Sequence, residues 1–276
     1  MSATEPLLIT ATFEVANPRD VRLRDSRERL VRHMEGVLAW MGDPFFSEIV
    51  LAKNCTLSVK FDPLRKVAEA HGKRLEFVQV EASPLTRERG KGFGEGEMIR
   101  QALMKSEVLG RACGFCKATG KLFLRDAGRF YAKAGHAVFH KCHAPRCGAL
   151  VFWRCMLGGF YGSRRWHRLL PWLHRHARVP WSLVAAAPRE WIDTRFYRIS
   201  KELYLERFLR SYERVDDALG YSLEAAFADD AAGLSDCALV KSEPIVLGYS
   251  GTHGTAAAEF PEDIRREARE LADRML

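Results

Sequence analysis

Glycines, cations and carboxylates alternate at the start of residues 89–106, RGKGFGEGEMIRQALMKS. Glycines let backbone N–H groups approach a ligand closely, and the apolar spacing that follows predicts a helix, whose N-terminus favours anions. Arg89 and Lys91 add positive charge beside this glycine segment. We therefore expect a loop at residues 90–96 whose amides bind the phosphate of a ligand.

Two carboxylates in the same segment oppose this prediction in part. Glu95 and Glu97 suit the first turn of a helix, but they repel phosphate unless a sugar hydroxyl or a metal ion contacts them. The spacing is neither a Walker pattern, which needs Gly-Lys-Ser/Thr, nor a GxGxxG followed by an acidic residue. A flexible loop that leads into a helix without binding a ligand remains the alternative.

A second group of reactive side chains suggests a different chemistry. Cys113 and Cys116 form a CxxC motif, and further thiols and imidazoles follow at His140, Cys142, His143 and Cys147. Four of them could bind a structural zinc ion, and the CxxC could be a redox pair. The second half contains no CxxC and its spacing is irregular, so buried free thiols are the favoured interpretation.

The composition limits the class of protein and its partners. The chain has 276 residues, of which 47% are hydrophobic and 28% charged, so we expect a soluble protein with a large core. The net charge of +8 and the pI near 9.2 favour an anionic partner, which could be nucleic acid, anionic lipid or a phosphorylated small molecule. We find no secretory signal and no membrane-spanning apolar run, which favours the cytoplasm and reduced forms of the seven cysteines.

The elements that must position these residues alternate between strands and helices in the first half. The alternation predicts an α/β fold with a mostly parallel central sheet flanked by helices. Ligands of such sheets bind beyond the carboxyl ends of the strands, so residues 10–14, Asn54, residues 81–97 and Arg125 with Asp126 are expected at one edge. Strands are predicted at residues 7–13, 46–51, 75–80 and 121–124, and helices after caps at Asp25 and Asp62 and after the glycine segment.

The alternation of strands and helices ends at about Tyr131. Residues 164–181 combine bulky apolar side chains with cations, and we expect a helical surface insertion at about residues 160–190 whose tryptophans pack on the core. Contact with anionic membrane headgroups and binding of single-stranded nucleic acid are the alternatives. Around this insertion we predict one or two strands at residues 136–153, a helix from Ser200 to Gly220, a strand at residues 244–249 and a last helix after Pro261.

Three blocks of the sequence, taken in order, resemble a known family. They are GKGFGEGEMIRQAL followed by FCKATGKLFL, then TRFYRISKELYLERFLRSYERVDDALGYSLEAAF, and then PIVLGYSGTHG. Over about residues 7–254 the chain resembles bacterial glycosyltransferase-like proteins of capsule and lipopolysaccharide gene clusters, which have the Rossmann-related GT-A nucleotide-sugar fold. The resemblance implies transfer of a sugar from a nucleotide-activated donor to a surface polysaccharide or its lipid-linked precursor.

The resemblance and the position of the strand ends together give candidate site residues. Glu224 is the implied base for the acceptor hydroxyl, and Asp216 and Asp217 are further candidates, with solvated residues near a helix C-terminus as the alternative for these two. Residues 1–130 would form the nucleotide-sugar half, and residues 131–276 the partly helical acceptor half, of one continuous globular unit. The expected donor-binding residues are Thr10, Arg89, Lys91, Gly92, Gly94, Glu95, Thr119, Gly120 and Lys121.

The sequence lacks one motif of that fold. Metal-dependent members carry Asp-x-Asp near the fourth strand, where it holds a divalent cation against the diphosphate, and this chain has no such motif. We therefore expect no metal cofactor, and cations such as Lys91, Lys121 or Arg125 would neutralise the leaving group.

The expected partners are the nucleotide-sugar donor, a glycan or lipid-linked acceptor and, by peripheral contact, the anionic inner face of the membrane. Nucleic acid is not an expected partner. Two hypotheses from other classes stay open, namely a zinc-stabilised nucleic-acid-binding protein and a non-catalytic scaffold with a glycosyltransferase-like fold.

Overall fold

A computed structural model describes residues 5–13, 23, 25–54, 59–142, 191–217, 221–242, 244–250 and 255–276. The predicted insertion at residues 160–190, the side chains of His143 and Cys147, Gly220 and the loop at residues 251–254 lie outside these ranges. The strands of the described part are β1 Leu7–Thr12, β2 Glu48–Asn54, β3 Arg74–Gln79, β4 Gly114–Thr119, β5 Leu122–Leu124, β6 Ala137–Cys142, β7 Trp191–Ser200, β8 Cys237–Val240, β9 Val246–Ser250 and β10 Thr255–Ala258.

The helices of the described part include several short ones. A π-helical turn at Tyr204–Phe208 and a 3-10 turn at Ser211–Arg214 follow the short helix Lys201–Leu203. The α-helices are α1 Ser26–Gly42, α2 Asp62–Ala70, α3 Leu85–Arg89, α4 Lys91–Lys105, α5 Glu107–Arg111, α6 Gly128–Tyr131, α7 Lys201–Leu203, α8 Leu223–Ala231 and α9 Glu262–Met275.

The central sheet confirms the predicted α/β architecture. Its strands lie in the order β3-β2-β1-β4-β7-β6-β8, and a smaller sheet has the order β10-β9-β5. The pairs β3–β2, β2–β1 and β1–β4 are parallel, whereas β7 is antiparallel to both β4 and β6. One face of the sheet packs on α4, the π-helical turn and α8, and the other on α1, α2 and α9. The parallel strands therefore end at one edge.

Two of the predicted helix starts can be compared with the structure. Asp25 caps α1, since its carboxylate accepts a hydrogen bond of 2.7 Å from the Glu28 amide, as predicted. Asp62 does not cap α2, because the helix begins at Asp62 itself and Phe61 occupies the N-cap position. Its carboxylate instead lies 3.5 Å from the Arg65 guanidinium, one turn along the helix.

The predicted fourth strand is wrong in its position. Residues 122–124 form β5 of the small sheet, and the fourth strand of the central sheet is β4. The β4–β5 turn packs closely on α1, because a Cβ on Gly36 would lie 2.2 Å from the Gly120 carbonyl oxygen. Arg125 and Asp126 consequently hydrogen-bond with the Ile245 backbone, in the loop before β9, instead of lying at the edge of the central sheet.

The predicted glycine loop is also wrong, because α4 begins at Lys91 and contains three of the four glycines. Gly90 alone has a left-handed conformation, with φ of 99°, which favours glycine between α3 and α4. A Cβ on Gly94 would lie 2.6 Å from Thr86 Cγ2, and one on Gly96 would lie 2.1 Å from Tyr212 Cβ. These glycines therefore allow close packing of α4 against α3 and the 3-10 turn.

The helix predicted from Ser200 to Gly220 is interrupted. Ser200 does cap its start, with Oγ accepting a hydrogen bond of 3.4 Å from the Leu203 amide. The chain then widens into the π-helical turn, whose Tyr204 and Phe208 are both buried against the sheet. It tightens into the 3-10 turn and ends in an isolated bridge between Asp216 and Tyr221. Burial of the aromatic rings thus takes precedence over regular helical geometry.

Candidate active site

A buried lysine lies at the centre of a polar cluster near the carboxyl ends of β1 and β4. The Lys117 side chain is 0% exposed, and its ammonium group forms an ion pair with Glu95 Oε1. The same group donates hydrogen bonds to Thr119 Oγ1 at 3.0 Å and to the Thr194 carbonyl at 2.8 Å. Lys117 therefore connects α4, β4 and β7 at one point.

Glu95 is the carboxylate of this cluster. Its Oε1 also accepts hydrogen bonds from Thr10 Oγ1 at 3.3 Å and from Thr119 Oγ1 at 3.2 Å. Burial alone raises the pKa of Glu95, but the charge and hydrogen bond of Lys117, the charge of Lys91 and the bond from Thr119 outweigh it and lower the pKa. Glu95 is consequently ionised near neutral pH and neutralises Lys117.

Further cations surround the carboxyl end of β1. Burial, together with the nearby charges of Arg29 and Lys91, lowers the pKa of Lys121 to about 7, although Glu95 acts in the opposite direction. Arg29 is buried and donates to the Thr12 carbonyl at 3.0 Å and to the Leu23 carbonyl at 3.1 Å. Burial lowers its pKa to about 10. An anion bound among these cations would lower their mutual repulsion.

Among these cations, the Lys121 ammonium group has the fewest neighbouring groups that offset its positive charge. It lies in the Gly120-Lys121 turn between β4 and β5, and none of the described residues forms a hydrogen bond or ion pair with it. The buried His33 ring adjoins the same turn, and burial, followed by the charges of Lys121 and Arg29, holds the pKa of His33 well below its ordinary value. His33 is therefore neutral and adds no further positive charge there.

Glu224, which is distant in the sequence, is connected to this cluster through Thr194. It lies in the first turn of α8, and its Oε1 accepts a hydrogen bond of 2.9 Å from Thr194 Oγ1. Because the Thr194 carbonyl accepts from Lys117, a single residue of β7 contacts both Glu224 and the Lys117–Glu95 pair. The structure thus connects the Glu224 carboxylate to the Lys117–Glu95 pair through Thr194.

The other two candidate carboxylates have different surroundings. Asp217 Oδ2 accepts a hydrogen bond of 2.8 Å from the Gly92 amide and so caps the start of α4. Asp216 pairs with Tyr221 through backbone hydrogen bonds of 2.9 and 3.0 Å. The Asp217 carboxylate thus occupies the anion position at this helix N-terminus, and the geometry gives no support to the expectation that the Gly92 amide binds a phosphate.

The predicted donor residues separate into two groups. The hydroxyls of Thr10 and Thr119 both donate to Glu95 Oε1, and Gly120 donates its amide to the Thr10 carbonyl at 2.9 Å. Lys91 and Lys121 act electrostatically on the same cluster. Arg89 and Gly94 lie elsewhere: Arg89 donates to the Glu213 carbonyl at 2.6 Å, and Gly94 contacts Thr86. Donor binding by Arg89, Gly92 and Gly94 stays a prediction to which this geometry gives no support.

Lys117, Thr194 and Arg29 are part of the candidate site but were not predicted. Lys117 is the single charged residue in the strand GFCKAT, and a charge within an otherwise apolar, buried strand signals a specific partner. Arg29 similarly falls within the buried face of α1. Thr194 gives no such signal, because its role depends on contacts with residues far away in the sequence.

The cysteines and histidines of the described part do not gather around a metal site. No group of three or more His, Cys, Asp or Glu side chains suited to a metal ion is found among the described residues. Cys116 is buried in β4, where its sulfur contacts the Tyr131 hydroxyl at 3.1 Å, and burial raises its pKa. Cys113 is a free thiol but is exposed, which corrects the expectation of burial for that residue. His140 lies on β6, separated from β4 by β7.

Comparison with solved structures identifies the type of fold. No protein-family model matches the chain, and no curated protein sequence does so either. The galactosyltransferase LgtC, solved in complex with donor and acceptor sugar analogues, is similar with a TM-score of 0.52 and 8% identity, over 98% of this chain and 96% of LgtC. The chain therefore has a GT-A-like fold.

Two further structures are similar at lower scores. The bifunctional glycosyltransferase WbbM, in its apo form, has a TM-score of 0.47 and 11% identity over 87% of this chain, which spans only 39% of the length of WbbM. Core-mannan synthase A from Aspergillus fumigatus, in its Mn/GDP form, has a TM-score of 0.43 and 13% identity over 99% of this chain and 86% of the synthase. TM-scores below 0.5 do not establish a shared fold.

Proposed function

We propose that this chain is a glycosyltransferase that takes its sugar from a nucleotide-activated donor. The observation that carries the proposal is the cation cluster of Lys121, Lys91 and Arg29 at the carboxyl end of β1, beside Thr10 and Thr119. Such a cluster suits a diphosphate, and the hydroxyls suit the polar atoms of a sugar. The similarity to LgtC supports the fold and no more.

The residues of the cluster have distinct parts in the proposed reaction. In an inverting transfer, the acceptor hydroxyl oxygen attacks the anomeric carbon of the donor, and its proton passes to the Glu224 carboxylate. The bond from the anomeric carbon to the diphosphate oxygen breaks, and its electron pair stays on the diphosphate. Lys121 and Lys91 stabilise that added charge, while Glu95 neutralises Lys117 and so keeps the site ordered.

A divalent metal ion does not fit these residues. The turn after β4 carries Thr119, Gly120 and Lys121, and an ammonium beside the diphosphate repels a metal ion. Glu95, the carboxylate of the cluster, is already committed to Lys117 and to two threonine hydroxyls. We therefore propose that lysines neutralise the leaving group and that no metal takes part.

We further propose that the acceptor is a bacterial surface polysaccharide or its lipid-linked precursor, of the capsule or lipopolysaccharide type. The resemblance of the three sequence blocks supports this acceptor, and the net charge of +8 suits peripheral contact with the anionic inner face of the membrane from the cytoplasm. Among the helices that the structure describes, none has both the length and the apolar character needed to cross a bilayer.

Donor binding and turnover test this function together. Calorimetric titration with UDP-glucose, UDP-galactose, UDP-N-acetylglucosamine and GDP-mannose is expected to give binding of at least one donor. Lys121→Met is expected to weaken that binding by about tenfold or more, because a charge-assisted contact with phosphate is lost. The matched control is Lys66→Met, which removes an exposed lysine on α2 and is expected to bind like the wild type.

The same preparation then distinguishes the remaining alternatives. Sugar release from the bound donor is expected to persist after treatment with EDTA. A strict requirement for added manganese or magnesium would contradict the metal-free proposal. Binding without any sugar release or transfer would instead identify a non-catalytic scaffold, and equal donor affinity of Lys121→Met and the wild type would remove Lys121 from the donor site.

A further inference from the structure

Strand β7 leaves the regular ladder next to the site. Its register with β6 pairs Tyr197 with Phe139 and then Asp193 with His140, so residues 194–196 have no partner on β6. The pairing of β7 with β4 stops at Phe196, which faces Ala118. Thr194 therefore lies outside both ladders, at a bulge of the kind that redirects side chains beside functional sites.

The bulge frees both polar groups of Thr194 for other partners. Its carbonyl accepts the hydrogen bond of 2.8 Å from Lys117 Nζ, and its hydroxyl donates the bond of 2.9 Å to Glu224 Oε1. The residue is 2% exposed, so neither group exchanges its partner for bulk water. In a regular strand the carbonyl would instead accept from a neighbouring strand.

We propose that Thr194 is a positioning residue, which holds the Glu224 carboxylate in the orientation needed to accept the acceptor proton. This inference rests on the proposed function, in which Glu224 is the base. The bond from Thr194 fixes Glu224 Oε1 and leaves Oε2 for the incoming hydroxyl. Lys117, which pairs with Glu95, fixes Thr194 in turn. Thr194 therefore links the orientation of Glu224 to the residues on the donor side.

The hydroxyl group of Thr194 positions Glu224, and two substitutions distinguish its effect from that of the methyl group. Thr194→Val keeps the volume and branching of the side chain but removes the donor, whereas Thr194→Ser keeps the hydroxyl. The backbone carbonyl that accepts from Lys117 is unchanged in both variants. A merely structural role for the methyl group would make Ser the more damaging change, while a positioning role makes Val the more damaging one.

The kinetic test measures hydrolysis of the donor, with water as the acceptor and free sugar as the product. The donor is whichever of the four nucleotide sugars the wild type binds. Thr194→Val is expected to lower kcat by about tenfold to a hundredfold with KM for the donor unchanged, since the hydrogen bond that orients the Glu224 carboxyl group is lost. Thr194→Ser is expected to stay within about threefold of the wild type. In a Glu224→Gln background, Thr194→Val is expected to have no further effect on kcat, because it acts through Glu224.

A thermal measurement keeps this inference separate from the proposed function. If Thr194 and Glu224 interact, the Tm shift of the double variant Thr194→Val/Glu224→Gln differs from the sum of the two single shifts. Additive Tm shifts, or a wild-type kcat for Thr194→Val, would overturn the role of Thr194 and leave the proposed function standing. Non-additive Tm shifts would show that Thr194 and Glu224 interact. If the wild type nevertheless releases and transfers no sugar, the proposed function is overturned, and the positioning role of Thr194 is overturned with it.

Discussion

Lys117 illustrates how one residue determines the site. Burial of an ammonium group is costly unless a carboxylate and further acceptors surround it, and Glu95, Thr119 and Thr194 supply these. Three segments of the chain, α4, β4 and β7, are thereby connected at the Lys117 ammonium nitrogen. The lone charge in a buried strand could have been recognised from the sequence, but the identity of its partners could not.

Removal of this ion pair gives a prediction for stability. Lys117→Met leaves Glu95 without its main partner and is expected to lower the free energy of unfolding by about 3 kcal/mol. Urea denaturation measures this change. The double variant Lys117→Met/Glu95→Gln, which has no unpaired charge, is expected to recover at least half of the loss. A single variant as stable as the wild type would show that the pair does not order the site.

Lys121 makes donor binding depend on pH. Its pKa of about 7 in the folded protein lies below the ordinary lysine value of 10.5, so its positive charge is lost as the pH rises through 7. This group lowers the stability of the fold most below pH 7, and the penalty decreases between pH 7 and 10.5, where the unfolded chain binds the proton more tightly. Nucleotide-sugar affinity is therefore expected to be higher at pH 6 than at pH 8.5, where the diphosphate itself does not titrate. Calorimetry at the two pH values checks this difference.

An arginine at the same position serves as the control for the pH prediction. Lys121→Arg keeps a positive charge throughout this range, so its donor affinity is expected to be the same at both pH values. A pH dependence that persists in Lys121→Arg would assign the titration to another group.

At the scale of the elements, local periodicity predicted the parallel half of the sheet well. Strands β1, β2 and β3, helix α1 with its cap and the final helix α9 all occur close to their predicted positions. In each of these, the apolar spacing and the caps are local properties of the sequence. The strand-helix alternation was therefore sufficient to predict the α/β architecture.

The errors occurred where distant residues decide the local conformation. Gly94 and Gly96 lie within α4, where Thr86 and Tyr212 leave no room for a side chain, and Tyr212 is more than a hundred residues away in the sequence. Similarly, the apolar run at residues 122–124 joined the small sheet because β9 pairs with it. Glycine spacing alone cannot distinguish a ligand-binding loop from a close helix contact.

Two glycine substitutions test this account of α4. Gly96→Ala places a Cβ 2.1 Å from Tyr212 Cβ and is expected to lower the free energy of unfolding by about 2 kcal/mol through overpacking. Gly110→Ala in α5 meets no atom within 4 Å and is expected to be neutral or slightly stabilising. Urea denaturation of both variants gives the comparison, and equal tolerance of the two would show that α4 does not pack as described.

At the scale of the whole molecule, the candidate site depends on the pairing of β7 with β4. That antiparallel pairing brings Thr194, and through it Glu224, against a cluster built from residues 10, 95 and 117–121. The candidate base was found from a family resemblance, whereas its connection to Lys117 required the sheet order. The overall charge of +8 agrees with an anionic ligand but does not locate it.

A crystal structure of the chain with a bound nucleotide sugar tests the central claim most directly. A diphosphate oxygen is predicted to lie within about 3 Å of Lys121 Nζ, with the sugar between the Thr10–Thr119 hydroxyls and Glu224. A donor bound with its diphosphate at any other part of the chain, away from Lys121, Lys91 and Arg29, would contradict the proposed site.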